Sequence, residues 1–158
     1  YPVTQGATTI WERWDGQKPD GSFQTPSMNS FNHYAYGAIG EWIVRVVGGL
    51  DVDADNPGFQ RAVVAPRPGG GITWAKTALE SMVGRYAVEW RRHNGEIEVS
   101  VSVPANGAAL VRLPGATLDA VTEGGAPLST AVGCTNARQD GDAVVVEVGA
   151  GAYVFTCS

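Results

Sequence analysis

Positive charge is scarce in this chain. Eleven Lys+Arg stand against sixteen Asp+Glu, leaving a formal charge of −5 over 158 residues, so a surface built on phosphate neutralisation is not expected, and neither is a basic membrane patch. Nucleic acid and membranes are therefore excluded as partners. Unbroken apolar runs are short as well, none approaching the roughly 18 residues of a membrane-crossing helix. Cysteine and histidine number two each, Cys134, Cys157, His33 and His93, without a Cys-x-x-Cys. They compose no usual zinc site, so no metal and no other cofactor is expected. The run Asp51-Val-Asp-Ala-Asp-Asn56 opens like a calcium loop but has Asn56 where glycine must turn and Ala62 where a bidentate glutamate belongs. Gly69-Gly-Gly71 lacks the Gly-Lys-Ser/Thr of a phosphate cradle and reads as a turn. Arg91-Arg92-His93 reads as the solvated end of a strand. The chain starts at Tyr1 with no leader pattern ahead of it, which reads as a chain processed or cut from something longer.

What is abundant points to a folded protein with many turns. Hydrophobic residues make up 44%, enough to bury a core, and 21 Gly plus 9 Pro are scattered without period, as turns between short strands require. The two ends differ in texture. Residues 1–57 hold three of the five tryptophans and carry −4 of the net charge. The acidic, turn-forming segment 51–58 is read as a linker between a domain end at 1–50 and a second domain at 59–158.

Thr4 to Thr25 shows no sustained period and reads as a long loop, of the kind that is usually functional. From there Phe31, Tyr34, Ala35, Ala38, Ile39, Trp42, Ile43 and Val46 recur at three- and four-residue steps, which predicts a helix over 30–48. Asn29 or Ser30 suits its cap and Gly48-Gly49 its stop. His33, Tyr36, Gly37 and Gly40 share another face of that helix, and two interior glycines imply close approach by a neighbour. Beyond Pro57 the period becomes two. Ile97, Val99, Val101 and Val103 alternate with polar residues, and Asn94-Gly95 is a strong hairpin signal after the run 86–92. Further strands are predicted at 60–65, 73–81, 109–113, 118–123, 143–148 and 152–157, giving an antiparallel β-sandwich. Cys134 and Cys157 are placed as cross-strand neighbours able to form a disulfide, which would imply an extracytoplasmic setting; two buried thiols are the other reading.

The densest chemistry lies in Thr8-Thr-Ile-Trp-Glu-Arg-Trp-Asp15, where Glu12 sits between Trp11 and Trp14. Flat indoles stack on the C–H faces of sugars while a carboxylate acts at their edge. The plain alternative is a tryptophan pair plugging a core, with Glu12 in a surface salt bridge.

Gly6-Ala-Thr-Thr-Ile-Trp-Glu-Arg-Trp14, followed by Ser27-Met-Asn-Ser-Phe-Asn-His-Tyr-Ala-Tyr-Gly-Ala-Ile-Gly-Glu-Trp42, resembles the carboxy-terminal end of the catalytic domain in bacterial α-L-rhamnosidases of glycoside hydrolase family 78. Ile72-Thr-Trp-Ala through Gly84-Arg-Tyr-Ala-Val-Glu-Trp90 resembles the start of the β-sandwich that follows in that family. The resemblance implies the last loop and helix of an (α/α)6 barrel, then a terminal β-sandwich. It also implies inverting hydrolysis of terminal α-L-rhamnosyl bonds, with a rhamnose-containing glycoside as substrate. Glu12 matches the family's general base and His33 its sugar-binding histidine, with Trp11 and Trp14 shaping the pocket; Asn29 and Tyr36 lie near the same face. The family's general acid lies upstream of the matched motifs, so the 158 residues alone are expected to be inactive. The apolar 30–48 helix is expected to pack on the upstream part of the same enzyme or on a second copy. A non-catalytic structural or carbohydrate-binding sandwich is the rival reading.

Overall fold

Alternating apolar residues become sheet across most of the chain after Gly49. The computed structural model describes residues 1–157 and divides into two units, Tyr1–Trp42 and the chain from Ile43 onward. The second unit contains strands β1 (Leu50–Val52), β2 (Arg61–Val64), β3 (Trp74–Ser81), β4 (Gly84–His93), β5 (Glu96–Val103), β6 (Ala108–Pro114), β7 (Thr122–Glu123), β8 (Ala126–Pro127), β9 (Cys134–Asp140), β10 (Ala143–Val148) and β11 (Gly151–Cys157). They form a five-stranded sheet in the order β1-β2-β6-β10-β9 and a six-stranded sheet in the order β3-β4-β5-β11-β7-β8. Two such sheets, each with one apolar face, fit a β-sandwich.

One core joins them. Val88, Trp90, Val99, Val101 and Phe155 come from the larger sheet and Val64, Val111, Leu113, Val144 and Val146 from the smaller, all essentially inaccessible to water. Polar atoms in this core have partners. The Trp90 Nε1–H donates to the carbonyl of Val47 at 2.6 Å, and the Tyr86 hydroxyl reaches the carbonyl of Phe59 at 2.9 Å. A Cβ on Gly107 would lie 2.2 Å from that hydroxyl, so the position admits only glycine. Asn94 and Gly95 both take positive φ, at 51° and 90°, as the two-residue β4–β5 hairpin requires.

The structure corrects several expectations. The sandwich is not wholly antiparallel, because β2 and β6 pair in parallel. Asp51 and Val52, within the segment read as a linker, instead pair with Val63 and Ala62 as part of β1. Leu118–Ala120 is a 3-10 turn ahead of the short β7. The polar strand β9 escaped notice because its alternation is broken. Its pairing with β10 shifts register between Val145 and Glu147, where Asn136 at φ 52° makes a bulge. Cys134 and Cys157 are free thiols, so the disulfide is not formed. Cys134 lies opposite Val148 in the smaller sheet, and Cys157 opposite Ile97 in the larger. Burial raises the pKa of both thiols.

Among the described residues of this unit Asp53 is the buried charged side chain, 7% exposed. Arg61 makes an ion pair with its carboxylate, and the Asp55 N–H and Asn56 Nδ2 donate at 3.0 and 3.2 Å. These donors, Arg61 foremost, hold the Asp53 carboxyl below the usual carboxylate range. A carboxyl lowered on folding stabilises the fold above its unfolded pKa and loses that contribution as pH falls through the folded value. The melting temperature of the chain should therefore exceed that of Asp53→Asn at neutral pH, and the gap should close below about pH 4. A gap independent of pH would show that the charge of Asp53 contributes nothing.

In the first unit the helical stretch begins later than expected. Tyr34–Gly37 is a 3-10 turn and α1 spans Ala38–Trp42, whereas Asn29 precedes it in extended backbone. The reason is competition for backbone groups. Ser30 accepts from the Glu12 N–H and His33 donates its N–H to Ile10, each at 2.8 Å, so residues 30–33 are drawn along the loop and cannot coil. His33 becomes the residue before the first turn, at φ −93° and ψ 117°. Tyr34, Ile39 and Trp42 are 90, 57 and 51% exposed.

Candidate functional site

Two stretches singled out in the sequence meet in the first unit. Residues 9–12 run beside 30–33. The Thr9 hydroxyl donates to the Phe31 carbonyl, His33 donates to Ile10, and Glu12 donates to Ser30. The Tyr36 hydroxyl adds a contact at 3.4 Å to the Glu12 carbonyl. Glu12 is thus held by its backbone on both sides, at its N–H and at its C=O.

The two tryptophans differ. Trp11 is only 8% exposed and meets Phe31 edge to face at 5.0 Å and 88°, while Phe31 meets Phe23 at 5.4 Å. Trp11 is therefore built into a small aromatic cluster that sets the position of its neighbour. Trp14 is 74% exposed and offers an open indole face. The loop between them and the 30–33 stretch is braced by Arg13 donating to Thr25 and Asn29 donating to the Gly16 carbonyl, both at 3.3 Å, and by Gln24 donating to Asp15 at 2.9 Å. Gly16 is buried, and a Cβ there would press at 3.3 Å on Asn29, Phe31 and the Arg13 carbonyl. These contacts fix a loop that has no regular secondary structure.

Glu12 is half-buried, and no hydrogen bond or ion pair engages its carboxylate among the described residues. Its surface salt-bridge reading therefore fails. A partly sheltered carboxylate on a rigid backbone, with no internal partner, is able to hold a water molecule or an exchangeable proton. His33 is also half-buried, with its ring nearly parallel to that of Tyr34 at 5.8 Å and 16°. Among the described residues no three His, Cys, Asp or Glu side chains converge as metal ligands would. Phe31, Phe23 and Thr9 position this site without having been singled out. Phe31 does stand inside one of the motifs, where helical spacing assigned it to a packing face.

Two family models match the chain. Residues 1–47 match the bacterial alpha-L-rhamnosidase 6 hairpin glycosidase domain, and residues 49–126 match the bacterial alpha-L-rhamnosidase C-terminal domain. An alpha-L-rhamnosidase of Streptomyces avermitilis is 40% identical over 158 residues, covering 99% of this chain and 14% of the relative. One from Formosa agariphila is 40% identical over 115 residues, covering 72% of this chain and 12% of the relative. The crystal structure of the S. avermitilis alpha-L-rhamnosidase complexed with L-rhamnose superposes with a TM-score of 0.80, over all of this chain and 14% of that one. The alpha-L-rhamnosidase of Dictyoglumus thermophilum gives 0.80 at 29% identity, over 99% of this chain and 17% of that one. The chain thus spans about one seventh of the length of its first relative, and within those limits it belongs to the bacterial α-L-rhamnosidases, corresponding to their carboxy-terminal part.

Proposed function

We propose that this chain supplies the general base of an inverting glycoside hydrolase that removes terminal α-L-rhamnose from rhamnosides. Glu12 is the base. It deprotonates the water that attacks the anomeric carbon, while a carboxylic acid about 6.5–9.5 Å away, on the upstream part of the enzyme, protonates the leaving oxygen. The supporting observation is a carboxylate without a partner among the described residues, on a backbone tied to Ser30 and Tyr36. Trp14 offers its open face to the sugar, Trp11 shapes the wall from within the aromatic cluster, and His33 donates to or accepts from a rhamnose hydroxyl. Residues ahead of β1 are the end of an (α/α)6 catalytic barrel, whose upstream part covers the exposed Tyr34, Ile39 and Trp42. The 158 residues alone, without the acid, do not turn over.

The test is Glu12→Gln in an enzyme that includes the upstream part, assayed by rhamnose release from an aryl rhamnoside. Loss of turnover supports the reading, and unchanged turnover refutes it.

A further inference from the structure

Seven of the nine arginines end in a side-chain hydrogen bond or ion pair, five of them with carboxylates. Arg67 and Arg92 have no such partner among the described residues, and both line one cleft of about 350 Å³ in the second unit. That volume suits a monosaccharide-sized ligand. The fold explains how they converge. On β4 the buried row Tyr86, Val88 and Trp90 continues at the next alternate position as the exposed Arg92, opposite Ile97 of β5, so Arg92 stands where that buried row ends. Arg67 follows β2 and its own N–H donates to the Val46 carbonyl at 3.1 Å, which fixes the backbone that carries it. Pro68, Ile97, Pro114 and Cys157 supply apolar wall, and no carboxylate of the described residues lines the cleft.

Two like charges in one cleft repel unless a counter-ion joins them, and this happens in a chain whose net charge is −5. Both side chains are exposed, so the attraction that they offer an anion is screened by salt. Guanidinium groups bind planar or tetrahedral oxyanions through paired N–H donors. We infer that Arg67 and Arg92 form a binding site for the oxyanion group of a small polar molecule, a sugar carboxylate or a phosphate. This site is independent of Glu12 and of the hydrolase reading.

The test titrates glucuronate, inorganic phosphate and glucose into the isotope-labelled full chain, followed through the Gly95 and Gly115 amide resonances. Glucuronate or phosphate should give saturable shifts that weaken at high salt, and glucose should not. Saturation by glucuronate alone assigns the site to a sugar acid; saturation by phosphate as well assigns it to the oxyanion itself. Arg67→Gln with Arg92→Gln should weaken binding about tenfold or more, while the paired lysine variant, which keeps both charges, retains part of it. The glutamine variant leaves no buried partner unpaired, so its amide spectrum should otherwise match that of the parent chain. Absence of saturable shifts with either anion overturns the inference, as do equal shifts in the glutamine variant.

Discussion

Trp90→Ala is expected to destabilise the second unit by about 3–5 kcal/mol, the range for truncating a buried large aromatic to alanine. Trp90 has no accessible surface and is the largest of the fully buried side chains. Its removal takes away apolar burial, opens a cavity between the sheets, and leaves the Val47 carbonyl without its donor at 2.6 Å. Trp90→Phe keeps one ring but no N–H, so its cost combines a smaller cavity with the unpaired carbonyl, about 1–3 kcal/mol for a buried group left without its partner. Urea unfolding should show the midpoint falling for both variants, further for alanine, at nearly constant slope. A loss under about 1 kcal/mol for alanine would mean that the sandwich is not closed at this point. Since domains rarely exceed about 15 kcal/mol in total stability, the alanine variant should be visibly less resistant to heat.

The sandwich was legible where its strands obey one simple rule. β5 alternates cleanly between buried valines and exposed polar residues, and Asn94-Gly95 announces the turn before it, so period and turn chemistry agreed. The rule fails at the edges. β1 is three residues long and begins beneath an acidic segment, and β9 carries a bulge and little apolar content. Both are outermost in their sheet, where partnership with a single neighbour leaves the sequence little to record. The parallel pairing of β2 with β6 was invisible for a different reason. Alternation fixes which face of a strand is buried, but not which neighbour it finds or in what direction.

For the first unit, the sequence reading misjudged the backbone. Helical spacing from Phe31 to Val46 is real, yet the stretch before Tyr34 is held straight by Ser30 and His33 bonding to the loop. A periodicity argument counts side chains and is blind to such competition for N–H and C=O groups. It also paired Trp11 with Trp14 as equivalent walls, whereas one is clamped against Phe31 and the other is open. Trp11 plugs a local core, as the plain alternative has it, and Glu12 beside it has no internal partner for its carboxylate among the described residues.

That division of labour sets the size of the effect expected at Glu12. In an enzyme including the upstream part, Glu12→Gln should lower kcat by about 10² to 10⁴, the usual contribution of a positioned acid or base. The amide matches the carboxylate in shape and leaves the backbone contacts with Ser30 and Tyr36 in place. It cannot accept a proton. Because the carboxylate has no partner among the described residues, its neutralisation leaves no buried donor stranded, and thermal unfolding should shift little. KM should change less than kcat, since a group that acts on water contributes to the transition state more than to sugar binding. Trp14→Ala should show the opposite split, raising KM first by removal of an open stacking face. Equal losses in KM and kcat for Glu12→Gln, or a large fall in melting temperature, would assign Glu12 to scaffolding rather than to proton transfer.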